Sequence, residues 1–363
     1  MQVPRVDPVY GETGSQCPLM APSGPAETIC CLSAFWGKAD VGCEPALMET
    51  RVGPKVGYLL PTRERVMQGK PAAVPLLQLA ERAESLGFDS IWIGDSLIDR
   101  PRHEPLVMLA AVAARTKRVS LGTGVLLPAL RNPVQLAQQA ATLDQISEGR
   151  LILGIGISPD LPGIHAEFAA VGVPFEKRVG RVLECMRLCR ALWTGEAISW
   201  DGRWQLKNAM IGPVPHRKGG PPIWMGGNTR GAMERAARHF DGWFPISPTP
   251  EIFRQQWEEV RAMRREGGRD SDAFDGAMYL TVCVDDDVAR AEARIGEFLE
   301  AYYPGRGEIM KKTQAWFAGP ASAVADRLAR YADAGLTHFV IRFTGDHERQ
   351  LEATAGIRLQ LGW

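Results

Sequence analysis

The sequence has no excess of charge of either sign. Its 363 residues include 42 Lys and Arg and 42 Asp and Glu, so the formal net charge is zero when histidine is neutral. Proteins that bind nucleic acids or anionic membranes usually carry clusters of basic residues, and no such block is present. The composition therefore gives no support for a nucleic-acid partner or a membrane partner.

Long apolar runs and a leader sequence are also absent. The sequence contains no stretch of about 18 uncharged apolar residues, the length that spans a bilayer. The N-terminus lacks the basic start and apolar core of a secretory signal peptide. The cysteines show no paired zinc-ligand spacing, although four of the seven lie within residues 1–43. We therefore expect a cytoplasmic protein without a metal site.

Several short catalytic and nucleotide-binding motifs are missing as well. The sequence has no G-x-G-x-x-G and no G-x-x-x-x-G-K-[ST], which excludes a Rossmann or P-loop interpretation. It also has no G-x-S-x-G nucleophile turn and no H-E-x-x-H zinc motif. Nucleophilic and zinc-dependent hydrolysis are therefore not supported.

The first 52 residues differ from the rest of the chain. They are rich in Pro and Gly and show no sustained hydrophobic period, which predicts a poorly ordered arm or a start codon set too early. Met48 is the alternative start in the second case. Residues 53–363 are predicted to form one α/β domain.

In that domain, apolar segments typical of buried strands alternate with helical patterns. Asn132 and Pro133 exemplify a helix start, with an amide cap before a proline at the first helical position. Such alternation indicates parallel strands covered by helices on both faces. The count favours a (β/α)8 TIM barrel over an open doubly wound sheet. The eight predicted strands are residues 55–60, 90–96, 119–127, 150–158, 222–226, 242–246, 278–284 and 338–343.

Two connections exceed ordinary loop length and predict insertions at the C-terminal rim of the barrel. Residues 195–221 contain WDGRW, which indicates a hairpin, and residues 303–317 follow the helix after the seventh strand. Long connections in a compact barrel are often substrate-side elements, although some are decoration. Trp200 and Trp204 are predicted to belong to a lid.

The stretch WMGGNTRGAMERAARHFDGW, residues 224–243, places two glycines between a strand and a helix. Gly226 and Gly227 lack side chains that would block a ligand, and the free amides of the first helical turn favour an anion. Asn228, Thr229 and Arg230 could add side-chain donors. The alternative is a tight turn in which Asn228 or Thr229 is an ordinary N-cap.

Glycines also occur at two other predicted strand ends, in GTGV (122–125) and GIGIS (154–158). Backbone without side chains at two neighbouring strand ends leaves space for a flat molecule. The alternative for GIGI is close packing against the following helix. Together with an anion site after the fifth strand, this opening would suit a flavin phosphate.

Several of these segments resemble the bacterial luciferase-like flavin monooxygenases, a family that includes oxidoreductases using the deazaflavin coenzyme F-420. The resemblance covers roughly residues 55–345 and is carried by KVGYLLP, SIWIGDS, LGTGVLLPALRNPVQLAQQAATLDQISEGRLILGIG, PPIWMGGNTRGAMERAARHFDGW and AGLTHFVIRF. It implies a barrel that binds reduced FMN or the deazaflavin, acts on a small organic substrate, and in some members forms a homodimer.

The resemblance also assigns cofactor contacts. It implies a cis peptide bond between Gly124 and Val125 under the flavin ring. The fourth-strand end, with Gly154, Gly156 and Ile157, would line the ring and ribityl chain, and the turn at residues 227–229 would hold the phosphate.

Three departures from the family narrow the chemistry. Sugar-phosphate dehydrogenases of the deazaflavin branch have a histidine where this chain has Ser96. They also have a catalytic glutamate near the position of Pro159, and this chain lacks it. The reactive thiol of true luciferases aligns with Gly156. Both activities are therefore disfavoured.

Candidates for proton transfer lie after the second and fourth strands. Asp95 ends the second strand, His103 follows in RPRHEP, and Asp160 lies past the fourth strand. A histidine suits acid–base work near neutral pH. The alternative is that His103 belongs to a solvated charged loop or a helix N-terminus.

The leading hypothesis is a reduced-flavin monooxygenase that receives reduced FMN from a separate reductase. The second hypothesis is hydride transfer to or from a bound deazaflavin. The third is a non-catalytic flavin carrier.

Overall fold

Eight parallel strands close into a barrel in the computed structural model, which describes residues 53–363. The barrel strands are β1 (Lys55–Leu59), β2 (Ser90–Ile93), β3 (Ser120–Thr123), β4 (Leu151–Ile155), β7 (Ile223–Gly226), β8 (Gly242–Phe244), β9 (Asp275–Val284) and β11 (His338–Phe343). They pair in this order, and β11 pairs with β1 to close the ring. The predicted TIM barrel is confirmed. The prediction for residues 1–52 lies outside the described residues.

Helices follow the strands and cover the outside of the barrel. They are α1 (Thr62–Met67), α2 (Val74–Ser85), α3 (Pro105–Arg115), α4 (Pro133–Ile146), α5 (Pro162–Ala170), α6 (Arg178–Leu192), α7 (Arg230–His239), α8 (Pro250–Glu266), α9 (Val288–Tyr302), α10 (Gly307–Thr313), α11 (Ala321–Asp333) and α12 (His347–Leu361). The start of α4 is as predicted, because the Asn132 side chain accepts a 2.9 Å hydrogen bond from the Val134 amide.

Aromatic side chains fill the interior of the barrel. The rings of Trp92 and Trp224 stack with centroids 5.4 Å apart, and Phe244 packs 5.4 Å from Trp92. His338 lies against both tryptophans and hydrogen-bonds through Nε2 to Ser90 Oγ at 2.6 Å. Burial lowers the pKa of His338 to about 3, with a smaller contribution from Lys55. The barrel interior is therefore a packed core holding a neutral histidine.

The first insertion contains the predicted hairpin, formed by β5 (Ile198–Asp201) and β6 (Gln205–Ala209). It packs on α6, where Trp200 Nε1 lies 3.5 Å from Glu184 Oε1 and the Arg181 guanidinium lies 4.7 Å from the Trp204 ring centroid. Trp200 and Trp204 thus contact α6, and neither is among the residues that line the cavity described below. Their role in a lid remains a prediction.

The second insertion is more regular than the sequence indicates. Residues 303–317 include α10 and most of β10 (Ala315–Gly319), a ninth strand that pairs in parallel with the end of β9 outside the barrel. Because β8 pairs only with the first two residues of β9, the carboxyl half of β9 can pair with β10 as well as with β11. This segment builds one side of the cavity described next.

Candidate active site

A cavity of about 230 Å³ opens at the carboxyl ends of the barrel strands. This is the end at which TIM barrels place their active sites. Its floor is Phe244, the aromatic residue that also packs on the tryptophans of the interior. The other lining residues are Leu59, Asp95, Ser96, Arg100, Arg102, Gly124, Val125, Leu127, Gly156, Ile157, Ser158, Pro159, Ile164, Ile246, Tyr279, Tyr302, Tyr303 and Gln314.

One wall of the cavity is made largely of backbone from the ends of β3 and β4. The peptide bond between Gly124 and Val125 is cis, as the resemblance implies. Gly156 lies beside it, and a Cβ at Gly156 would stand only 2.5 Å from Val125 Cγ2. We call Gly124, Val125, Gly156 and Ile157 the backbone wall; all four line the cavity.

Gly154 does not line this cavity. A Cβ at Gly154 would stand 2.1 Å from the Thr123 carbonyl oxygen and 3.2 Å from the Phe244 ring. The glycine is therefore required by close packing between neighbouring strands, so its predicted cofactor contact is not part of the observed wall.

The turn after β7 has the predicted strand–glycine–helix layout. Gly227 has a φ of 111° and donates its amide to the Phe244 carbonyl at 3.2 Å. Thr229 is the N-cap of α7, accepting from the Ala232 amide at 3.3 Å. Arg230 is exposed and pairs with Glu234 and Glu259 at 3.2 and 3.3 Å. The N-cap interpretation thus describes Thr229, and the anion site remains a prediction.

The three predicted proton-transfer residues are not brought together. His103 Nε2 lies 2.7 Å from the Pro71 carbonyl oxygen, and His103 is not among the residues around the cavity. Asp160 has a side chain 78% exposed and pairs with His165 at 2.7 Å. Only Asp95 of the three lines the cavity.

Asp95 is fully engaged by the protein. Its carboxylate accepts hydrogen bonds from both terminal nitrogens of Arg131, at 2.5 and 3.0 Å, and from the Leu127 amide at 2.9 Å. Burial works against the charge of Arg131, yet Asp95 and Glu104 raise the pKa of this guanidinium. Asp95 therefore fixes the loop that follows the backbone wall.

A second buried carboxylate orders the loop after β2. Glu167, which has no exposed surface, accepts hydrogen bonds through Oε1 from the Ser96 hydroxyl at 2.5 Å and from three consecutive amides, residues 97–99, at 2.7–3.0 Å. This loop presents Arg100 and Arg102 to the cavity. Arg100 pairs with Asp99 at 3.1 Å.

The opposite wall consists of side chains that the sequence did not single out. Arg342 of β11 is completely buried, and its guanidinium carbon lies 4.7–5.8 Å from the ring centroids of four aromatic residues. Those rings belong to Tyr279, Phe298, Tyr302 and Tyr303. We call Tyr279, Tyr302, Tyr303, Gln314 and Arg342 the tyrosine–arginine wall.

Hydrogen bonds fix this guanidinium in its plane. Arg342 donates to Thr281 Oγ1 through Nη2 at 2.8 Å and Nε at 3.2 Å, and to Gln314 Oε1 through Nη2 at 3.2 Å. Burial opposes the charge, but the surrounding tyrosines and Glu64 raise the pKa of Arg342. The wall thus holds a permanent positive charge behind the tyrosine rings.

The three tyrosines of this wall differ in acidity. Burial raises the pKa of Tyr279 and of Tyr302 above the ordinary value of 10.0. Burial acts in the same direction on Tyr303, but the charge of Arg342, hydrogen bonds from Gln314 and Arg342, and the charge of Arg100 together lower its pKa. Two features of the sequence could have indicated this wall: the consecutive tyrosines 302 and 303, and the arginine inside the apolar strand HFVIRF.

Residues 53–363 contain no group of three or more His, Cys, Asp or Glu placed to hold a metal ion. Within the same residues, no helix is both long and apolar enough to cross a membrane.

A closed barrel with such a cavity at its carboxyl end defines a TIM-barrel enzyme, and comparison with known proteins identifies its class. The chain matches the family model described as luciferase-like monooxygenase over residues 54–338. It belongs to that family and is an oxidoreductase.

Relatives within the family differ in cofactor and reaction. The chain is 30% identical to the F420-dependent glucose-6-phosphate dehydrogenase of Kineococcus radiotolerans, over 81% of this chain and 92% of that protein. Its fold resembles an F420-dependent secondary alcohol dehydrogenase solved with an F420–acetone adduct (TM-score 0.72, 20% identity, 84% and 98% coverage). It also resembles a long-chain alkane monooxygenase (TM-score 0.71, 16% identity, 85% and 92% coverage).

Proposed function

We propose that this protein is an oxidoreductase dependent on the deazaflavin coenzyme F420 that transfers a hydride to or from a small organic substrate. The observation that carries this proposal is the cavity between the backbone wall and the tyrosine–arginine wall. The relatives favour this second hypothesis over the leading one, because F420 appears in the names of several of them, including the Kineococcus radiotolerans protein at 30% identity.

The residues present fit a flat cofactor. At Gly156 an added Cβ would stand 2.5 Å from Val125 Cγ2, so Val125 can pack against this residue only because Gly156 has no side chain. Gly124, Val125, Gly156 and Ile157 would contact the ring, which supplies hydride chemistry when bound. The turn formed by Gly227 and its neighbours would take the phosphate, as free helix N-terminal amides favour anions.

The polar side of the cavity suits an alcohol or a carbonyl. Hydroxyl and amide groups of Ser96, Tyr303 and Gln314 and the guanidinium groups of Arg100 and Arg102 line it. Oxygen atoms of such substrates need donors that hold them and a group that exchanges their proton during hydride transfer. Since Ser96 replaces the histidine of the sugar-phosphate dehydrogenases, we propose a substrate other than a sugar phosphate.

The second candidate is a reduced-FMN monooxygenase supplied by a separate reductase. It is supported by the fold of the long-chain alkane monooxygenase, which has similar coverage. A non-catalytic flavin carrier is the third candidate. The cavity walls are compatible with either ring, so binding experiments must separate them.

The test is parallel fluorescence titration of the purified protein with F420 and FMN, each oxidised and reduced. We expect at least a hundredfold preference for F420, equivalent to about 2.7 kcal/mol. The reverse preference, with oxygen-dependent turnover of reduced FMN, would establish the monooxygenase. Tight binding of either cofactor with no turnover in reductase-coupled and hydride-transfer assays would establish the carrier.

A further inference from the structure

Tyr303 occupies a particular position in the tyrosine–arginine wall. It follows the last residue of α9, and its ring lines the cavity below the guanidinium of Arg100, which lies 4.9 Å from the ring centroid. Tyr302, the preceding residue, also lines the cavity. The two differ in what surrounds their hydroxyl groups.

The phenol oxygen of Tyr303 is surrounded by donors. Gln314 Nε2 lies 3.2 Å from it and Arg342 Nη1 lies 3.5 Å from it. The orientation of the Gln314 amide is fixed, because its Oε1 accepts from Arg342. A guanidinium has no acceptor, and the amide nitrogen has none either. Neither neighbour can therefore receive the proton of the Tyr303 hydroxyl.

The charges around Tyr303 also favour loss of its proton. Arg342 of β11 and Arg100 after β2 face it with positive charge, while Tyr279 and Tyr302 face the same guanidinium. Glu64 of α1 is the carboxylate of this cluster, and burial raises its own pKa. Burial opposes ionisation of Tyr303, but the charge of Arg342, the hydrogen bonds from Gln314 and Arg342 and the charge of Arg100 together lower its pKa below the usual value.

We propose that Tyr303 is the proton-transfer residue of this site. In the direction of reduction, the carbon would accept a hydride from the reduced deazaflavin, the electron pair of the C=O π bond would go to the oxygen, and the Tyr303 phenol would donate its proton to that oxygen. In the direction of oxidation, the C–H bond breaks with its electron pair going to the oxidised deazaflavin, the hydroxyl proton passes to the Tyr303 phenolate, and the C=O bond forms. This role rests on the proposed hydride-transfer function. Arg342 and Gln314 are positioning residues.

The first test needs no substrate and no cofactor. Tyrosinate absorbance is titrated in the native full chain, in Tyr303→Phe, and in the control Tyr331→Phe, which alters a tyrosine outside the cavity whose pKa is raised by burial. We expect the wild type to show one tyrosine ionising below the ordinary value. That transition should disappear in Tyr303→Phe and persist in Tyr331→Phe. A transition that persists in Tyr303→Phe overturns the proposal.

The second test measures oxidation of reduced F420 by a panel of small aldehydes and ketones. Loss of a positioned general acid costs about 10²–10⁴-fold in rate. We expect Tyr303→Phe to lower kcat by that range with little change in the Kd of F420. Wild-type reduction should slow as pH rises through the pKa of Tyr303, because the phenol must be protonated, and alcohol oxidation should accelerate over the same interval.

Positioning variants give a further readout. Arg342→Met removes the charge, Arg342→Lys keeps it, and Gln314→Leu removes one donor. We expect the tyrosinate transition to move upward in Arg342→Met and Gln314→Leu, and less in Arg342→Lys. Gln314→Leu decides the matter where the Arg342 variants do not fold, and an unmoved transition in it counts against the positioning role.

The two proposals fail in different ways. Turnover that survives Tyr303→Phe at an unchanged rate and with an unchanged pH profile overturns the role of Tyr303 alone. If the wild type oxidises reduced F420 with none of the carbonyl compounds, the hydride-transfer function falls and takes this inference with it.

Discussion

The barrel interior and the cavity above it use the same residue type in opposite ways. In the interior, glycines make room for tryptophan: a Cβ at Gly122 would stand 2.1 Å from the Trp92 ring, and one at Gly242 would stand 2.4 Å from Trp224. At the rim, Gly124 and Gly156 border a cavity. In the first region, neighbouring rings occupy the volume that side chains would take. In the second, the absence of a side chain lets Val125 pack against Gly156, and the backbone of both glycines borders the cavity.

Titratable groups show the same contrast. His338 in the interior is surrounded by aromatic rings with one hydroxyl partner, so burial lowers its pKa and keeps it neutral. In Tyr303 at the rim, the charge of Arg342 and donated hydrogen bonds outweigh burial. A buried polar group is thus held neutral where aromatic rings and a single hydroxyl surround it, and becomes more acidic where a fixed positive charge lies behind it.

The largest expected effects come from adding one methyl group in each region. Gly122→Ala should lower the free energy of unfolding by about 3 kcal/mol, because overpacking against a buried ring forces strands apart. Gly156→Ala should instead weaken cofactor binding about a hundredfold, since Val125 and the new Cβ must share the cavity wall. Chemical denaturation and fluorescence titration measure the two quantities.

Gly356→Ala is the matched control for both changes. Gly356 lies in α12 with nothing within 4 Å of its added Cβ. It should leave cofactor binding unchanged and stabilise the helix by up to about 1 kcal/mol. If Gly156→Ala bound the cofactor as tightly as Gly356→Ala, the backbone wall would not be the cofactor surface.

The next effect concerns pH and belongs to the interior. His338 has a pKa of about 3 in the folded protein, below the roughly 6.5 of an unfolded histidine. The unfolded chain therefore binds the extra proton between these values, and stability falls as pH falls from about 6.5 toward 3. One such group changes the free energy of unfolding by about 1.4 kcal/mol per pH unit.

His338→Gln should reduce this dependence while leaving the pH profile of turnover unchanged. His347, whose pKa is lowered to about 4 by burial, contributes in the same direction and remains in the variant. Urea unfolding at several pH values gives the slope for each protein. Equal slopes in the wild type and the variant would show that His338 is not the buried neutral group.

The smallest effect separates two roles at the turn after β7. Thr229→Ala removes the N-cap of α7 and should cost about 1 kcal/mol of stability with a small change in cofactor affinity. Asn228→Ala should leave stability nearly unchanged and weaken binding of the intact cofactor more than binding of its dephosphorylated form. Equal losses for both forms would remove the phosphate from this turn.

Much of the fold could be predicted from the sequence. All eight barrel strands occur close to their predicted positions, because buried parallel strands are apolar along their whole length and turn residues separate them. The cap at Asn132 and the glycines at the ends of β3 and β4 can be recognised from the local sequence. The backbone wall could therefore be found in advance.

The tyrosine–arginine wall could not be predicted from the sequence. Residues 303–317 lack a clear hydrophobic period, so the sequence predicts only an insertion where α10 and β10 lie. Arg342 is a single charged residue in an otherwise apolar strand. His103 was favoured for its intrinsic pKa, but its ring turns to the Pro71 carbonyl. The direction of a side chain at a strand end depends on neighbours that are remote in sequence, and residue type alone does not reveal it.

By itself, the sequence determined the alternation of strands and helices, the places where backbone is left bare, and the resemblance to the luciferase-like family, because these depend on local patterns. Only the tertiary structure decided which polar groups share the cavity. Closure of the barrel by β11 on β1 and of β9 on β8 brings Tyr279 and Tyr303 to the same cavity as Asp95, Ser96, Arg100 and Arg102. Arg342 lies against these tyrosine rings. Their charges and hydrogen bonds then set acidities that no single segment encodes.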